Sequence, residues 1–562
     1  MKIKKAVAVL MALVVVFGTL PAVFADNDKI SFAVATDIHA EGKGEPLPLE
    51  FPENELYFHA RNSGNLYNEA LGILESFLAQ AAEKKLDFVL LTGDMTNSGK
   101  QEQHILFASI LEAFEKETGI SVYVTPGNHD YANSSPADFK EYYARFGYDE
   151  ALAIDDVTAS YTVDLPNGYR LLSLDSQTPG KDGDALDERL FAWAETQAVQ
   201  AEKDGKTLIA MMHCPLLDPI PLAELIMKDF IVRDHKDVAE LFTKWNIQYV
   251  FTGHEHGNNI SSFTGSNGNK VYDILTTSLT SYPLEYRTVD LSSAGMDIKC
   301  NSIDTFNPDS CGTGYNDAQN ALIESNYTEY SYGYFKYSIE KKIAKYITAP
   351  FIEDKLNVTE GVLFDAIEAV MPLVEEALQM PLYAKDTDGN SIEALANKAG
   401  AKLPESDYYN LYDLATTAVA SIYYGAENMP LDSSPEARIL VVGLNTGLKY
   451  ILAEAGNKTT ELALNAIFSS IGLDKIEGLD IYRWNRALVL GADHSYDVAL
   501  SVLNPFLEKL LVDDEICDRD VTLPAPGEKA EQVSGFRSFL DTLIKVFLYI
   551  VNVIKTVLFL PF

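Results

Sequence analysis

The chain has 562 residues and carries 82 acidic against 44 basic side chains, a formal charge of −38. That length exceeds one ordinary hydrophobic core and points to two domains. So acidic a surface repels nucleic-acid backbones, which sets nucleic acid aside as a partner and suits solubility outside a cell.

At the N-terminus Lys2, Lys4 and Lys5 precede an apolar run from Ala6 to Leu20 and then Val23-Phe24-Ala25. This is the pattern of a secretory signal peptide over residues 1–25, its apolar run being short against the roughly 20 residues of a spanning helix. The mature chain is therefore expected to be secreted or held at the cell surface, extracytoplasmic in either case. An uncleaved N-terminal anchor is the alternative, and no nearby cysteine supports a lipoprotein anchor.

From Asp28 to about Asp290, apolar or β-branched runs alternate with helical stretches such as Leu66 to Glu83 and Gln101 to Glu117, a layered α/β pattern. Five runs read as buried strands: Ile30 to Thr36, Phe88 to Thr92, Val122 to Thr125, Leu208 to Met212 and Tyr249 to Thr252. After them stand, in order, Asp37-Ile38-His39, Gly93-Asp94, Gly127-Asn128-His129-Asp130, His213, and Gly253-His254-Glu255-His256. Five of the nine histidines lie in these segments. Further strands read at Tyr169 to Leu174 and Val271 to Thr277.

Singly, each segment is commonplace. Five in this order, each after an apolar strand, resemble the calcineurin-like metallophosphoesterase family, whose pattern is D-x-H, G-D, G-N-H-[DE], a lone H and G-H-x-H. The resemblance covers roughly residues 30–290 and is nearest in form to secreted bacterial phosphodiesterase-like members. It implies a layered β-sandwich flanked by helices over residues 26–295, with the carboxyl ends of the strands delivering ligands into one crevice. Carried over residue by residue, it implies one metal on Asp37, His39 and His256, a second on Asn128, His213 and His254, and Asp94 bridging both. Such a mixture of carboxylate, amide and imidazole suits two divalent or trivalent ions of Mn, Fe or Zn. It implies, further, a hydroxide bridging the two metals that attacks a small-molecule phosphodiester or nucleotide-type ester while His129 protonates the leaving oxygen. Two alternatives stand beside this: a secreted phosphomonoesterase that scavenges phosphate, and a cell-surface binding protein with a vestigial metal centre.

One departure bears on His129. In the phosphatase branch of the family an Asp commonly stands three residues after the bridging Asp, and here that position is Asn97. An amide stabilises an imidazolium less than a carboxylate does, so a lower pKa is expected for His129 unless Asp130 compensates. Cys214, beside His213, reads as a small buried residue. The segment from Ala40 to Asn65, with Pro46, Pro48 and Pro52, is either a lid or a surface excursion. Arg287 is either a bidentate phosphate clamp or a strand-edge residue pairing with an acidic surface.

Residues 296–343 turn rich in Gly, Ser, Asn and Asp and read as a linker or small subdomain, cross-linked by an expected Cys300–Cys311 bridge across Asn307-Pro308-Asp309. Residues 344–530 read as a mainly helical C-terminal domain, with apolar stripes at Val362 to Leu378, Leu411 to Tyr424, Ala437 to Ala453, Leu462 to Ile471 and Val498 to Leu511. His494 stands alone there and reads as structural. Residues 534–562 place Ser534, Arg537, Ser538, Asp541, Lys545, Asn552, Lys555 and Thr556 on one face of a helix whose remainder is apolar. That helix suits a membrane interface, or else docks on the helical domain.

Overall fold

A computed structural model of the chain describes residues 28–42, 64–177, 186–219, 231–312, 314–346, 348–387, 389–398, 400–426, 434–470 and 517–527. The expected signal peptide, most of the proline-containing segment, His494, the stripe at 498–511 and the amphipathic helix at 534–562 lie outside the described residues.

The strands are β1 (Ile30–Ala35), β2 (Phe88–Leu91), β3 (Ser121–Val124), β4 (Ala153–Ile154), β5 (Tyr161–Asp164), β6 (Tyr169–Ser173), β7 (Thr207–Met211), β8 (Tyr249–Thr252), β9 (Asn259–Thr264), β10 (Lys270–Leu275), β11 (Glu285–Ser292), β12 (Gly295–Ser302) and β13 (Val521–Leu523). They form two mixed sheets, one in the order β13-β12-β11-β1-β2-β3 and the other β4-β5-β6-β7-β8-β10-β9. Within the first, β1, β2 and β3 run parallel. In the second, β6, β7, β8 and β10 do.

Most of these parallel strands are largely apolar because both of their faces are covered. Between the sheets, Phe32 stacks on Phe88 at 4.7 Å and meets Phe251 of the opposite sheet edge-on at 5.3 Å. The outer face of the first sheet receives α1 (Ala70–Lys84), whose Phe77 lies 4.8 Å from Tyr286, and α2 (Gln101–Thr118) flanks the same layer. The outer face of the second sheet packs Leu172, Leu208, Ala210 and Val250 against α3 (Glu188–Lys203) and α4 (His235–Lys244). The architecture is a two-sheet α/β sandwich with flanking helices and a helical C-terminal region.

The first sheet does not stop near residue 295. β12 pairs with β11 along its full length, Glu285 facing Ser302 and Ser292 facing Gly295. β13 then adds to β12 from far along the chain, Met296 facing Leu523. Beyond Ser302 the helices include α5 (Tyr327–Tyr346), α6 (Val362–Gln379), α7 (Leu411–Tyr424), α8 (Pro435–Ala455) and α9 (Asn457–Ser470). They hold small cores of their own, one built on Leu382, Ile392, Leu411, Leu414 and Ile439. Among the described residues no helix is long and apolar enough to cross a membrane.

Two sequence expectations are overturned. No disulfide joins Cys300 and Cys311. Cys300 sits on β12, its sulfur 3.7 Å from a guanidinium nitrogen of Arg287, whereas Cys311 is buried in a one-turn helix (Pro308–Cys311) against Gly72 of α1. Arg287 is neither a clamp nor a surface partner: it is fully buried, and its guanidinium donates to the carbonyls of Leu275, at 2.8 Å, and Arg519, at 3.3 Å. Alternation along β11 places it inward, between the sheets' ends, with the C-terminal segment lying over it.

Candidate metal centre

The loops that follow β1, β2, β3, β7 and β8 meet at one end of the sandwich, and backbone pairing continues past the strands to fix them. Asp37 N–H donates to Gly93 O at 3.0 Å, His39 N–H to Asp94 O at 2.9 Å, and Gly253 N–H to His213 O at 2.9 Å. Ser278 Oγ holds the carbonyl of Asp37 at 2.7 Å and Thr280 Oγ1 that of Ile38 at 3.0 Å. Five of the expected ligands, Asp37, His39, Asp94, His254 and His256, take positive φ of 48° to 77°. Left-handed backbone at non-glycine residues is costly and persists where surrounding contacts enforce it, which is a signature of functional sites.

Glycines of the motifs are explained by what would occupy their side chains. A Cβ on Gly127 would lie 2.1 Å from Asp94 Oδ1, one on Gly253 2.7 Å from Asp37 Oδ2, and one on Gly93 2.4 Å from His213 Nδ1. Each spacer glycine therefore makes room for an expected ligand contributed by a different loop.

All seven expected ligands and His129 are brought together. His39 Nε2 and His256 Nε2 stand 3.2 Å apart, and Asp37 Oδ1 lies 3.2 Å from His256 Nε2. On the other side His213 Nε2 stands 3.1 Å from His254 Nδ1 and 3.2 Å from Asn128 Oδ1. Between these groups Asp94 Oδ2 faces His213 Nε2 at 3.3 Å and His39 Nε2 at 3.7 Å. Two donor atoms each about 2.1 Å from one cation stand about 3.0 Å apart on an octahedron and about 3.4 Å apart on a tetrahedron. All of these spacings but the 3.7 Å from Asp94 to His39 fall in that interval, so the donor set fits two cations. Asp37 Oδ1 is buried and accepts no hydrogen bond among the described residues, as expected of an atom reserved for a cation.

The tautomers are set from behind. His213 Nδ1 donates to Thr92 O at 2.8 Å, which turns Nε2 toward the centre. Burial opposes ionisation of Asp37, but His256 and His213 hold its carboxyl well below the usual range. Asp94 is likewise held down against burial by His213 and His129. Burial first, then the neighbouring His129, pushes His39 down to about 4. His254 is pushed down to about 3 by burial and by His213. His213 is driven the other way: burial disfavours its charge, yet Asp94 and Asp37 raise it to about 10. Two ionised carboxylates around converging imidazole nitrogens make a site that demands positive charge.

His129 joins His39 and Asp94 in a third triplet whose donor atoms lie within 4.8 Å of one another, and its ring meets that of His39 at 4.6 Å. Its Nδ1 donates to the backbone carbonyl of Asn97 at 2.7 Å, leaving Nε2 as the nitrogen available for proton exchange. The Asn97 side chain instead donates to Glu41. The pKa of His129 is raised: burial lowers it, and Asp94, the Asn97 carbonyl and Asp130 outweigh that. Asp130 itself serves the loops, accepting from the backbone N–H groups of Met95, Thr96 and Gly127 at 2.9 to 3.2 Å. Cys214 is buried and accepts from Gln177 Nε2 at 3.0 Å, in keeping with the reading of a packed small residue.

Sequence reasoning missed the residues that brace the centre: Thr36, Thr277, Ser278 and Thr280 beside the ligand loops, and Asn258 after the last motif. The hydroxyl-rich run Thr276-Thr277-Ser278-Leu279-Thr280-Ser281 was the visible signal, since every one of its hydroxyl residues is buried.

Residues 30–258 match the family described as calcineurin-like phosphoesterase. A "probable glycerophosphodiester phosphodiesterase" of Arcobacter nitrofigilis is 28% identical over 181 residues, 32% of this chain and 56% of the relative. A "probable cyclic nucleotide phosphodiesterase" of Rhodococcus erythropolis is 25% identical over 229 residues, 39% of this chain and 69% of the relative. The chain thus spans little more than half of the first of these relatives. Among solved structures, a dimetal phosphatase from Danio rerio aligns at 14% identity and a TM-score of 0.37, over 49% of this chain and 96% of that one. A purple acid phosphatase from yellow lupin aligns at 10% identity and a TM-score of 0.32, over 51% and 53%. The five motifs and the His/Asp clusters all fall within that match, and residues 30–258 form a calcineurin-like phosphoesterase domain.

Proposed function

We propose that the centre holds two metal ions and hydrolyses a small-molecule phosphodiester. Asp37, His39 and His256 would take one ion, Asn128, His213 and His254 the other, with Asp94 between them. The observation that carries this is the spacing of 3.1 to 3.2 Å between imidazole nitrogens on each side of Asp94. Two cations so held supply an activated water and neutralise the phosphoryl oxygens. Mn, Fe and Zn all suit the mixed donor set.

The chain's own residues do the rest. Thr92 and Asn97, through their carbonyls, fix which nitrogen of His213 and His129 faces the crevice. His129, with a raised pKa and a fixed Nδ1–H, holds a proton on Nε2 for the leaving oxygen. A diester substrate is favoured by the names of the two relatives described above. The signal-peptide pattern of residues 1–25 supports action outside the cytoplasm, and the amphipathic pattern of residues 534–562 supports attachment at a membrane surface.

The test is hydrolysis of bis-p-nitrophenyl phosphate against p-nitrophenyl phosphate by the mature chain with added Mn2+. Faster metal-dependent cleavage of the diester is expected. Faster cleavage of the monoester, or no metal-dependent cleavage of either, contradicts the proposal.

A further inference from the structure

One junction between the helical region and the metal centre is built around the end of α7. α7 ends at Tyr424, and Gly425 follows in a left-handed cap at φ 78°. A Cβ on Gly425 would touch Asn258 on one side, at 3.1 Å, and Asp518 on the other, at 3.0 Å, so three distant parts of the chain close on one point. Asn258 N–H donates to Tyr423 O at 3.1 Å, and Ile260 N–H to Asp518 Oδ1 at 2.6 Å.

Arg519 occupies the middle of this junction. It makes a two-pronged pair with Glu285, at 2.6 and 2.8 Å, and donates to Tyr424 O at 2.7 Å, while its guanidinium carbon lies 3.6 Å from the centroid of the Tyr424 ring. Glu285 is 2% exposed, so its charge depends on that partner. From Glu285 the chain of contacts continues inward. Asn258 Nδ2 donates to Glu285 Oε2 at 3.1 Å, Thr277 N–H donates to Asn258 Oδ1 at 3.3 Å, and Thr277 Oγ1 donates to the carbonyl of His256. His256 is the ligand residue held at φ 58°, a conformation that outside contacts must enforce.

We propose that Arg519 is a positioning residue for the metal centre, acting through Glu285, Asn258 and Thr277 on the loop that presents His256. The segment 517–527 returns from beyond the helical region, adds β13 to the sheet edge, and places this guanidinium where it both caps α7 and orients Glu285. Charge on a helix C-terminus and a two-pronged carboxylate pair both call for arginine and its planar fork. Buried Arg287, which donates to the Arg519 carbonyl, fixes the backbone from beneath. The helical region is in this way part of the apparatus that shapes one of the two metal positions.

The inference rests on the proposed function, and its test reads metal binding directly. The full mature chain, stripped with chelator, is titrated with Mn2+ by calorimetry, and its Tm is recorded. Arg519→Ala is expected to weaken one of the two Mn2+ equivalents at least tenfold and to leave the other within threefold. Arg519→Lys, which keeps the charge and loses the fork, should fall between Arg519→Ala and wild type. Thr522→Val removes a β13 hydrogen bond to Asp297 outside this chain of contacts and should keep both affinities, even with a lowered Tm. Wild-type affinities in Arg519→Ala overturn the inference, as does equal weakening by Thr522→Val. Should Arg519→Ala not fold, Arg519→Lys binding both ions as wild type overturns it. A wild-type chain that takes up no metal overturns the proposed function as well, which separates the two failures.

Discussion

Gly127 should not tolerate a side chain. Its φ is not in the left-handed region, so the backbone itself would accept alanine. What forbids a methyl group is Asp94, whose Oδ1, backbone N and Cγ would lie 2.1, 2.4 and 2.7 Å from it. A carbon and an oxygen settle no closer than about 3.3 Å, so Asp94 or the loop must move by more than about 1 Å. Asp94 Oδ1 also accepts the His129 N–H at 2.8 Å, and the displacement therefore reaches the proposed acid. A misplacement of about 1 Å costs on the order of 100-fold in rate, equivalent to about 2.7 kcal/mol of transition-state stabilisation. Overpacking should add about 1–3 kcal/mol of lost stability. The assay is kcat/KM on bis-p-nitrophenyl phosphate together with Mn content per chain. Gly389→Ala, where the nearest atom would be 3.5 Å away, serves as control. Gly127→Ala with two metals bound and kcat/KM within threefold of wild type would refute the reasoning.

His129→Ala should keep both metals and slow turnover by about 10²- to 10⁴-fold, most for poor leaving groups; an equal loss on good and poor leaving groups contradicts its role as acid. Arg287→Met should lower Tm and leave KM unchanged, because the buried Leu275 carbonyl loses its guanidinium donor, at about 1–3 kcal/mol. A raised KM at unchanged Tm would restore the phosphate-clamp reading. Asp273 is buried, accepts from Thr252 Oγ1 and Leu217 N–H, and is pushed by burial up to about 6. Its folded pKa lies above the unfolded one, so its contribution to stability is full below about pH 4 and is lost as pH rises through about 6, on the order of 2 kcal/mol. Denaturant melts across that window should show the loss in wild type and a flatter profile in Asp273→Asn, and parallel profiles count against it.

The candidate ligands, which the structure brings together, could be located in the sequence because each is local to a motif and each motif follows a strand buried on both faces, a pattern that one-dimensional apolarity displays. What escaped detection depends on partners distant in the chain. β13 is three residues long and is a strand only because β12 offers it an edge. β9 reads Asn-Ile-Ser-Ser-Phe-Thr, too polar to stand out, and is held by antiparallel pairing with β10. Arg287 looked like a charged residue on a strand edge, and only the arrival of residue 519 overhead explains its burial. Asn97 misled for a different reason. Its side chain was weighed against an aspartate, whereas the contact to His129 is made by its backbone carbonyl, which every residue type possesses. The expected Cys300–Cys311 bridge rested on export, a short loop and its Asn307-Pro308-Asp309 turn, and the sheet separates the two by carrying Cys300 on β12.

Whether Asp94 joins two metal ions is decided by metal content per chain, compared between wild type and Asp94→Asn. Asp94 Oδ2 lies between the two donor groups, at 3.3 Å from His213 and 3.7 Å from His39. The account predicts two tightly held ions in the wild-type chain, and in Asp94→Asn a loss of occupancy accompanied by loss of diester hydrolysis. Two ions and full activity in Asp94→Asn, or fewer than two in the active wild-type protein, would contradict it.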